Sequence, residues 1–313
     1  MGLVVGIDEV GYGPKLGPLI VASFGFRVPD LAIDLWKALA PAVSSRPART
    51  KLPVLDSKEL YSTAVGIKAL EPTALSFLAL LPERPGATFR TLLGNVALEP
   101  PPATDPWYRD ADFDLPLSTE RSDLDARAAM LWKACVGAGV MAHGARAAWV
   151  EPAEFNRACT SERNKSDLLF AQACRLVKAM LDSAPGEDAV VRIGKQGGRR
   201  LYLAGLVREF GSVWVHGEEP STSRYEFRRG GRKVIVEFLM DGEDRDFAIS
   251  LASIVGKYLR EGAMRLFNAY WARQRDGLRA TAGYGHDARR FYREIEPHLG
   301  RLSIEPDAVL RRR

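Results

Sequence analysis

The chain has 313 residues, 46% of them hydrophobic and 27% charged, an ordinary globular composition with enough apolar material for one large domain or two. Its 44 basic and 39 acidic residues leave a formal charge of +5, which permits a polyanionic partner without demanding one. Three cysteines, Cys135, Cys159 and Cys174, are odd in number and unlike any zinc-ligand spacing, so disulfides and structural zinc are not expected; with no signal-peptide pattern and no apolar run near membrane-spanning length, a soluble cytoplasmic protein is.

The first predicted element is an apolar strand, Leu3 to Ile7, which delivers two adjacent carboxylates, Asp8 and Glu9, onto a loop holding Gly11, Gly13, Pro14, Gly17 and Pro18. A second strand begins at Leu19. Side chains on a strand alternate faces, so the two acids converge only if the strand ends there and the backbone turns. Paired carboxylates at a strand end suit a hard cation such as Mg2+, which takes one or two carboxylates plus phosphate oxygens, and a phosphoryl-transfer site is the first expectation. Gly11-x-Gly13-x-x-x-Gly17 also looks like a dinucleotide fingerprint, but the two acids would repel a pyrophosphate and Leu19 to Phe26 continues as a strand, not the required helix. A solvated acidic turn is the plain alternative.

A short helix is expected over Leu31 to Leu39, and a basic loop over Ser44 to Pro53 leads to Asp56-Ser57-Lys58, which reads as a cap for a helix from about Tyr61 toward Leu70. Residues 71–118, with a helix around Ala74 to Leu81 and then Pro100, Pro101, Pro102, Pro106 and Pro116, read as a surface excursion. A helical pattern returns over Thr119 to Val140, and a strand over Ala147 to Val150. Lys165 to Asp182 is an amphipathic helix with Leu168, Leu169, Ala173, Leu176, Val177 and Met180 as its buried stripe.

Ala189 to Gly194 reads as a strand opening into a glycine-rich turn, Val207 to Phe210 as the end of a helix, and Ser212 to Val215 as a strand. Thr222 to Arg228 and Lys233 to Met240, joined through Arg229-Gly-Gly-Arg232, form the clearest hairpin. It feeds the acidic run Asp241 to Asp246 and a long helix, Phe247 to Gln274, that carries Ser253 and Lys257 on one face. Thr281 to His286 is a turn with Tyr284 at its tip, followed by a short helix and the basic end Arg311 to Arg313.

Five of these pieces, in this order, resemble the type 2 ribonucleases H, the HII and HIII group, which cut the RNA strand of RNA–DNA duplexes. Gly6-Ile-Asp-Glu-Val-Gly11 through Pro18 resembles the opening motif of that family, and Leu55-Asp-Ser-Lys-Glu-Leu60 its second. Lys195-Gln-Gly-Gly198 with Tyr202, Leu251 to Lys257 with Arg260, and Gly283-Tyr-Gly285 resemble the rest. The resemblance leaves residues 62–118 uncovered. It implies an α/β fold, a ribonuclease H-like mixed sheet flanked by helices, with residues 1–250 as core and 251–313 as a helical C-terminal extension of the same domain.

The resemblance further implies two divalent cations, Mg2+ or Mn2+, held by an Asp-Glu-Asp-Asp set, and as substrate an RNA–DNA hybrid or a ribonucleotide embedded in DNA. Asp8 and Glu9 match the first two positions. The strand-ending third position holds Gly194, and Glu187 and Asp188 lie at the far end of that strand, about 20 Å away at strand rise. The fourth falls on Glu243 by spacing, with Asp244 the nearest aspartate. A glycine-basic-glycine element that reads the ribose 2′-OH is here Gly11-Tyr12-Gly13, and Tyr12 brings no cation. Ser57, Lys58, Ser253, Lys257 and Tyr284 are the implied substrate contacts, whereas His286 is a surface residue or cap. Two readings follow, a divergent hybrid-cutting ribonuclease and a catalytically inactive nucleic-acid binder of the same fold.

Overall fold

The computed structural model describes the chain apart from residues 62–64, 103, 110, 160–163, 197–198 and 313. Its strands are β1 Gly2–Val10, β2 Leu19–Val28, β3 Val43–Ser44, β4 Leu52–Pro53, β5 Met141–Val150, β6 Ala189–Gly194, β7 Val213–Glu218, β8 Thr222–Arg229 and β9 Arg232–Leu239. Its helices are α1 Leu35–Ala38, α2 Ser57–Leu60, α3 Glu71–Leu78, α4 Phe89–Val96, α5 Pro106–Arg109, α6 Arg121–Ala138, α7 Pro152–Ala158, α8 Lys165–Asp182, α9 Leu203–Phe210, α10 Gly242–Arg245, α11 Phe247–Gln274, α12 Gly285–Leu299 and α13 Pro306–Val309.

Seven strands make one mixed sheet in the order β5-β2-β1-β6-β9-β8-β7, and β3 pairs with β4 in a separate two-stranded sheet. The middle strands β1, β6 and β9 run parallel, and antiparallel strands flank them on both sides. β1 and β6 read as nearly unbroken apolar runs because helices cover both of their faces. On one face α11 lies so close that a Cβ on Gly6 would sit 1.9 Å from the carbonyl carbon of Ala248, so glycine at that position is what lets the helix dock. On the other face α8 packs Leu169, Ala173, Leu176 and Val177 against Val5, Ile7 and Val191. The hairpin turn between β8 and β9 puts Gly230 at φ 60° and Gly231 at φ 81°, the left-handed pair that a two-residue turn needs.

Several expectations are corrected. The helix expected from Tyr61 to Leu70 is one turn at Ser57–Leu60 and a 3-10 turn at Gly66–Ala69, where Gly66 has φ +63°; residues 62–64 of that span lie outside the described ones. Pro72, in the first turn of α3, then starts a new helix. The stretch 71–118 does not ride on the surface, because Leu75, Phe77, Leu78, Phe89, Leu92 and Val96 are buried in the core under α11. The strand expected at Ala147 starts at Met141, and Arg121–Ala138 ends at Gly139 in the left-handed conformation.

The former excursion also buries a polar cluster. Glu151, at the end of β5, accepts from the Tyr108 hydroxyl at 2.6 Å and from the Trp149 indole, and Asp105 lies close by. Burial, with the charge of Asp105 adding to it, pushes the Glu151 carboxyl up to about 7. The folded state therefore keeps this proton where the unfolded chain releases it near 4.5, so stability falls as pH rises from about 4.5 to about 7 and is level above that. Glu151→Gln is expected to remove this dependence, gaining about 3 kcal/mol on the wild type across that window. Urea midpoints that move in parallel for the two proteins from pH 4.5 to 8 would contradict it.

Candidate active site

The carboxyl ends of the three parallel strands meet at one edge of the sheet, beside the antiparallel pair β1–β2, where the strand order switches direction and ligands of open α/β sheets collect. Asp8 and Glu9 stand on β1 at this edge. The expectation that the strand ends at these acids is corrected, since β1 stays paired to β2 through Val10↔Ile20. Its pairing with β6, however, stops at Ile7↔Ile193, so from Asp8 onward the β6 side of β1 is open. That free edge lets both side chains approach the end of β6: a Cβ on Gly194 would lie 2.7 Å from Asp8 Oδ1 and 4.0 Å from Glu9 Oε2.

From the next strand, α10 carries Glu243 toward the same place. Ser253 Oγ, on the first turns of α11, donates to Glu243 Oε1, and its hydroxyl also works against the rise of the Asp8 carboxyl. Ser57 Oγ donates to the same glutamate oxygen at 3.1 Å and lies 3.0 Å from Ser253 Oγ. Lys58 Nζ meets Glu243 Oε2 at 3.1 Å and Asp56 Oδ2 at 3.8 Å. Lys257 sits over the Tyr61 ring at 4.3 Å, within reach of the charges of Glu243 and Asp56. Asp244 is exposed on the outer side of its short helix, and Glu243 is the acid of that helix that faces Asp8 and Glu9.

The electrostatics of this cluster are those of too many negative charges in too little water. Burial, then Glu9 and Glu243, raise the Asp8 carboxyl well above its ordinary value, and burial with Glu243 pushes Glu9 up to about 7. Glu243 is held below the ordinary range by its serine and lysine partners, against the effect of its own burial. Hard carboxylate oxygens that repel one another at a strand end fit a divalent cation by donor chemistry. As placed, though, no group of three His, Cys, Asp or Glu side chains among the described residues closes on a metal. Both Glu243 oxygens are engaged elsewhere.

The loop after β1 is held from below by two buried guanidinium groups. Arg260 donates to the carbonyls of Pro18, Leu16 and Ala282, and Arg311 to those of Gly11, Pro14 and Gly17. Gly11 has φ +90°, and a Cβ there would press 2.7 Å from Arg260 Nε, so this glycine answers to both conformation and space. Gly13 is exposed and faces the Tyr284 ring, while Tyr12 is half-buried. Tyr284 is 49% exposed, with the Arg260 guanidinium 5.3 Å from its centroid.

No protein-family model and no curated protein sequence matches the chain. Solved structures do. The RNase HII of the Archaeoglobus fulgidus PCNA:RNase HII complex matches at 13% identity, over 99% of this chain and 94% of that one, with a TM-score of 0.44. Ribonuclease H2 from Pyrococcus horikoshii OT3 matches at 13% identity, over 98% and 92%, with a TM-score of 0.41. Bst-RNase HIII in complex with Mn2+ matches at 13% identity, over 99% of this chain and 66% of that chain, with a TM-score of 0.44. The fold itself is α/β, a mixed seven-stranded sheet flanked by helices.

Within this frame, Asp8, Glu9, Glu243, Ser57, Lys58, Ser253 and Lys257 come together, and Gly11, Tyr12, Gly13 and Tyr284 form the adjoining rim. Glu187 pairs with Arg27 at 2.9 Å, and Asp188 receives the amide of Lys233, both at the other end of β6. His286 is exposed. Asp246, the last of the acidic run after β9, is buried, caps α11 and pairs with Arg192 at 3.0 Å. Gly197 and Gly198 of the third motif lie outside the described residues, and Tyr202 beside them is buried against Phe238 with ring centroids 3.5 Å apart. Asp56, too, has a place richer than its sequence signal. It caps α2 through the Lys58 amide at 2.7 Å, as its position before a helix suggests, and it also adjoins Glu243, which only the folded chain reveals.

Proposed function

We propose that this chain is a type 2 ribonuclease H-like endonuclease, acting slowly on the RNA strand of RNA–DNA hybrids or at a ribonucleotide within DNA. The observation that carries the reading is the meeting of Asp8, Glu9 and Glu243 at the carboxyl ends of the parallel strands, knitted together by Ser57, Lys58 and Ser253. Asp8, Glu9 and Glu243 would hold Mg2+ or Mn2+, which supplies an activated water and charge neutralisation at the phosphate. Lys58 and Lys257 attract the phosphate; the backbone of Gly11 and Gly13 faces the ribose; Tyr284 offers its exposed ring to a sugar or base. Hydrolysis breaks the bond from phosphorus to the 3′ oxygen and joins the water oxygen to phosphorus.

The inactive-binder reading draws on Gly194, which leaves the strand-end position without a carboxylate, and on Lys58, which neutralises Glu243. A labelled RNA–DNA hybrid separates the two. Cleavage of the RNA strand by the wild type is expected, slower than one turnover per second and faster with Mn2+ than with Mg2+, because Mn2+ accepts less regular oxygen ligation. Binding without cleavage in either metal, at protein in excess over hybrid, would establish the binder, and neither binding nor cleavage would end both readings.

A further inference from the structure

Lys165 is the first residue of α8, where the helix dipole disfavours a cation. Its ammonium lies 5.3 Å from the ring centroid of Tyr12 and 5.7 Å from that of Phe155. Among the described residues no carboxylate forms an ion pair with it, whereas Lys15 and Arg311 stand near enough to add their repulsion to the cost of its burial. Arg311 is committed to the carbonyls of the glycine loop, and Lys15, half-buried on the same loop, forms no ion pair among the described residues either. Positive charge from Lys165, Lys15 and Arg311 thus gathers on the flank of the loop that follows Asp8 and Glu9, with neither lysine in an ion pair among the described residues. Tyr12 itself faces both ways, since the charge of Glu9 reaches its hydroxyl while Lys165 sits over its ring.

We infer that Lys165, steered by the faces of Tyr12 and Phe155 and assisted by Lys15, binds a backbone phosphate of the nucleic-acid strand next to the one at Asp8 and Glu9. The inference rests on the nucleic-acid reading above and assigns that reading a contact. A helix-terminal lysine crowded by like charges gains most from a dianion-free, singly charged oxygen cluster that approaches along an open loop, and a sugar–phosphate backbone offers one per nucleotide. The ring of Tyr12 sets where the ammonium stands, and so carries out by packing what a charge on residue 12 would do directly.

The test uses the full chain and a fluorescein-labelled RNA–DNA hybrid in EDTA, with anisotropy titrations across a salt series. Lys165→Ala is expected to weaken binding about fivefold to tenfold at low salt and to reduce the log–log salt slope by roughly one contact, while Lys165→Arg keeps both near wild type. Tyr12→Arg combined with Lys165→Ala is expected to recover the slope, because the new guanidinium restores a cation to the same flank. Wild-type affinity and slope in Lys165→Ala overturn the inference while leaving the nucleic-acid reading intact. A slope lowered equally by Lys133→Ala, on α6, marks a general charge effect and also overturns it. A wild type that binds no hybrid overturns both.

Discussion

Asp8→Asn is expected to lower hybrid cleavage by about a thousandfold and, in metal-free buffer, to raise the melting temperature. The loss follows from removing the acid most enclosed by the cluster: it adjoins the Gly194 position and feels the charges of both Glu9 and Glu243. An amide of the same shape is neutral and binds a hard cation poorly, so the metal that would offset the phosphate charge is lost. The gain in stability has the same origin. Burial and two neighbouring carboxylates disfavour the ionised Asp8, so in neutral buffer without metal the wild type carries an electrostatic strain that asparagine relieves. Divalent cation reverses the order, stabilising the wild type and leaving Asp8→Asn unmoved. Scanning calorimetry in EDTA and in Mn2+, beside a cleavage assay, reads all three effects. A variant that cleaves as well as the wild type, or melts lower in EDTA, would show that Asp8 is not the centre of the site.

Legibility in the sequence followed how local the determining physics was. α8 and α11 begin and end where their patterns predict, because an apolar stripe, the Asn164 cap of α8 and the Asp246 cap of α11 all lie within the segments they define. The β8–β9 hairpin was equally open, since two glycines specify its turn. The stretch 71–118 was opaque for the opposite reason: its prolines signal loops, while its buried residues are spread over α3, α4 and α5 and acquire a period only against α11. At the candidate site, Asp8 and Glu9 announce themselves as neighbours in sequence. Glu243 emerged only through its spacing in the resemblance, with Asp244 left open beside it, because its alliance with Ser57 spans 186 residues. Arg311 is the extreme case. The sequence shows there only a basic end, yet Arg311 is buried and burial pushes its guanidinium down to about 9 while it grips the glycine loop.

These buried arginines bear on how the site stays open. The C-terminal segment crosses under the loop, with the Arg311 amide bonded to the Lys15 carbonyl and Leu16 bridged to Leu310. The loop is thus fastened from the protein side, and Gly13, Tyr12 and Tyr284 present their outer surfaces without having to support themselves. A rim that is rigid in this way loses little entropy on binding a polymer, which favours recognition by shape and backbone over recognition by induced folding.

Gly194→Asp is expected to make the protein less stable without metal and more responsive to it. The end of β6 has room for the change in one respect, because Gly194 does not hold a left-handed backbone that a side chain would strain. In the other respect it does not, because the new Cβ would come within 2.7 Å of Asp8 Oδ1, a flexible side-chain end that must swing aside. The added carboxylate then joins acids that already repel one another, and a buried charge left without a partner costs about 3 to 5 kcal/mol. A cation offsets that cost by binding the folded state alone, so the melting temperature of the variant should climb more steeply with Mn2+ than that of the wild type, and cleavage should rise at least tenfold. Gly194→Asn separates charge from bulk: it displaces Asp8 to the same extent but adds no anion, and should melt lower than the wild type at every Mn2+ concentration. If Gly194→Asp follows Gly194→Asn in both melting and cleavage, the strand-end position is only a place where glycine fits, and the slow turnover expected of the wild type has another cause.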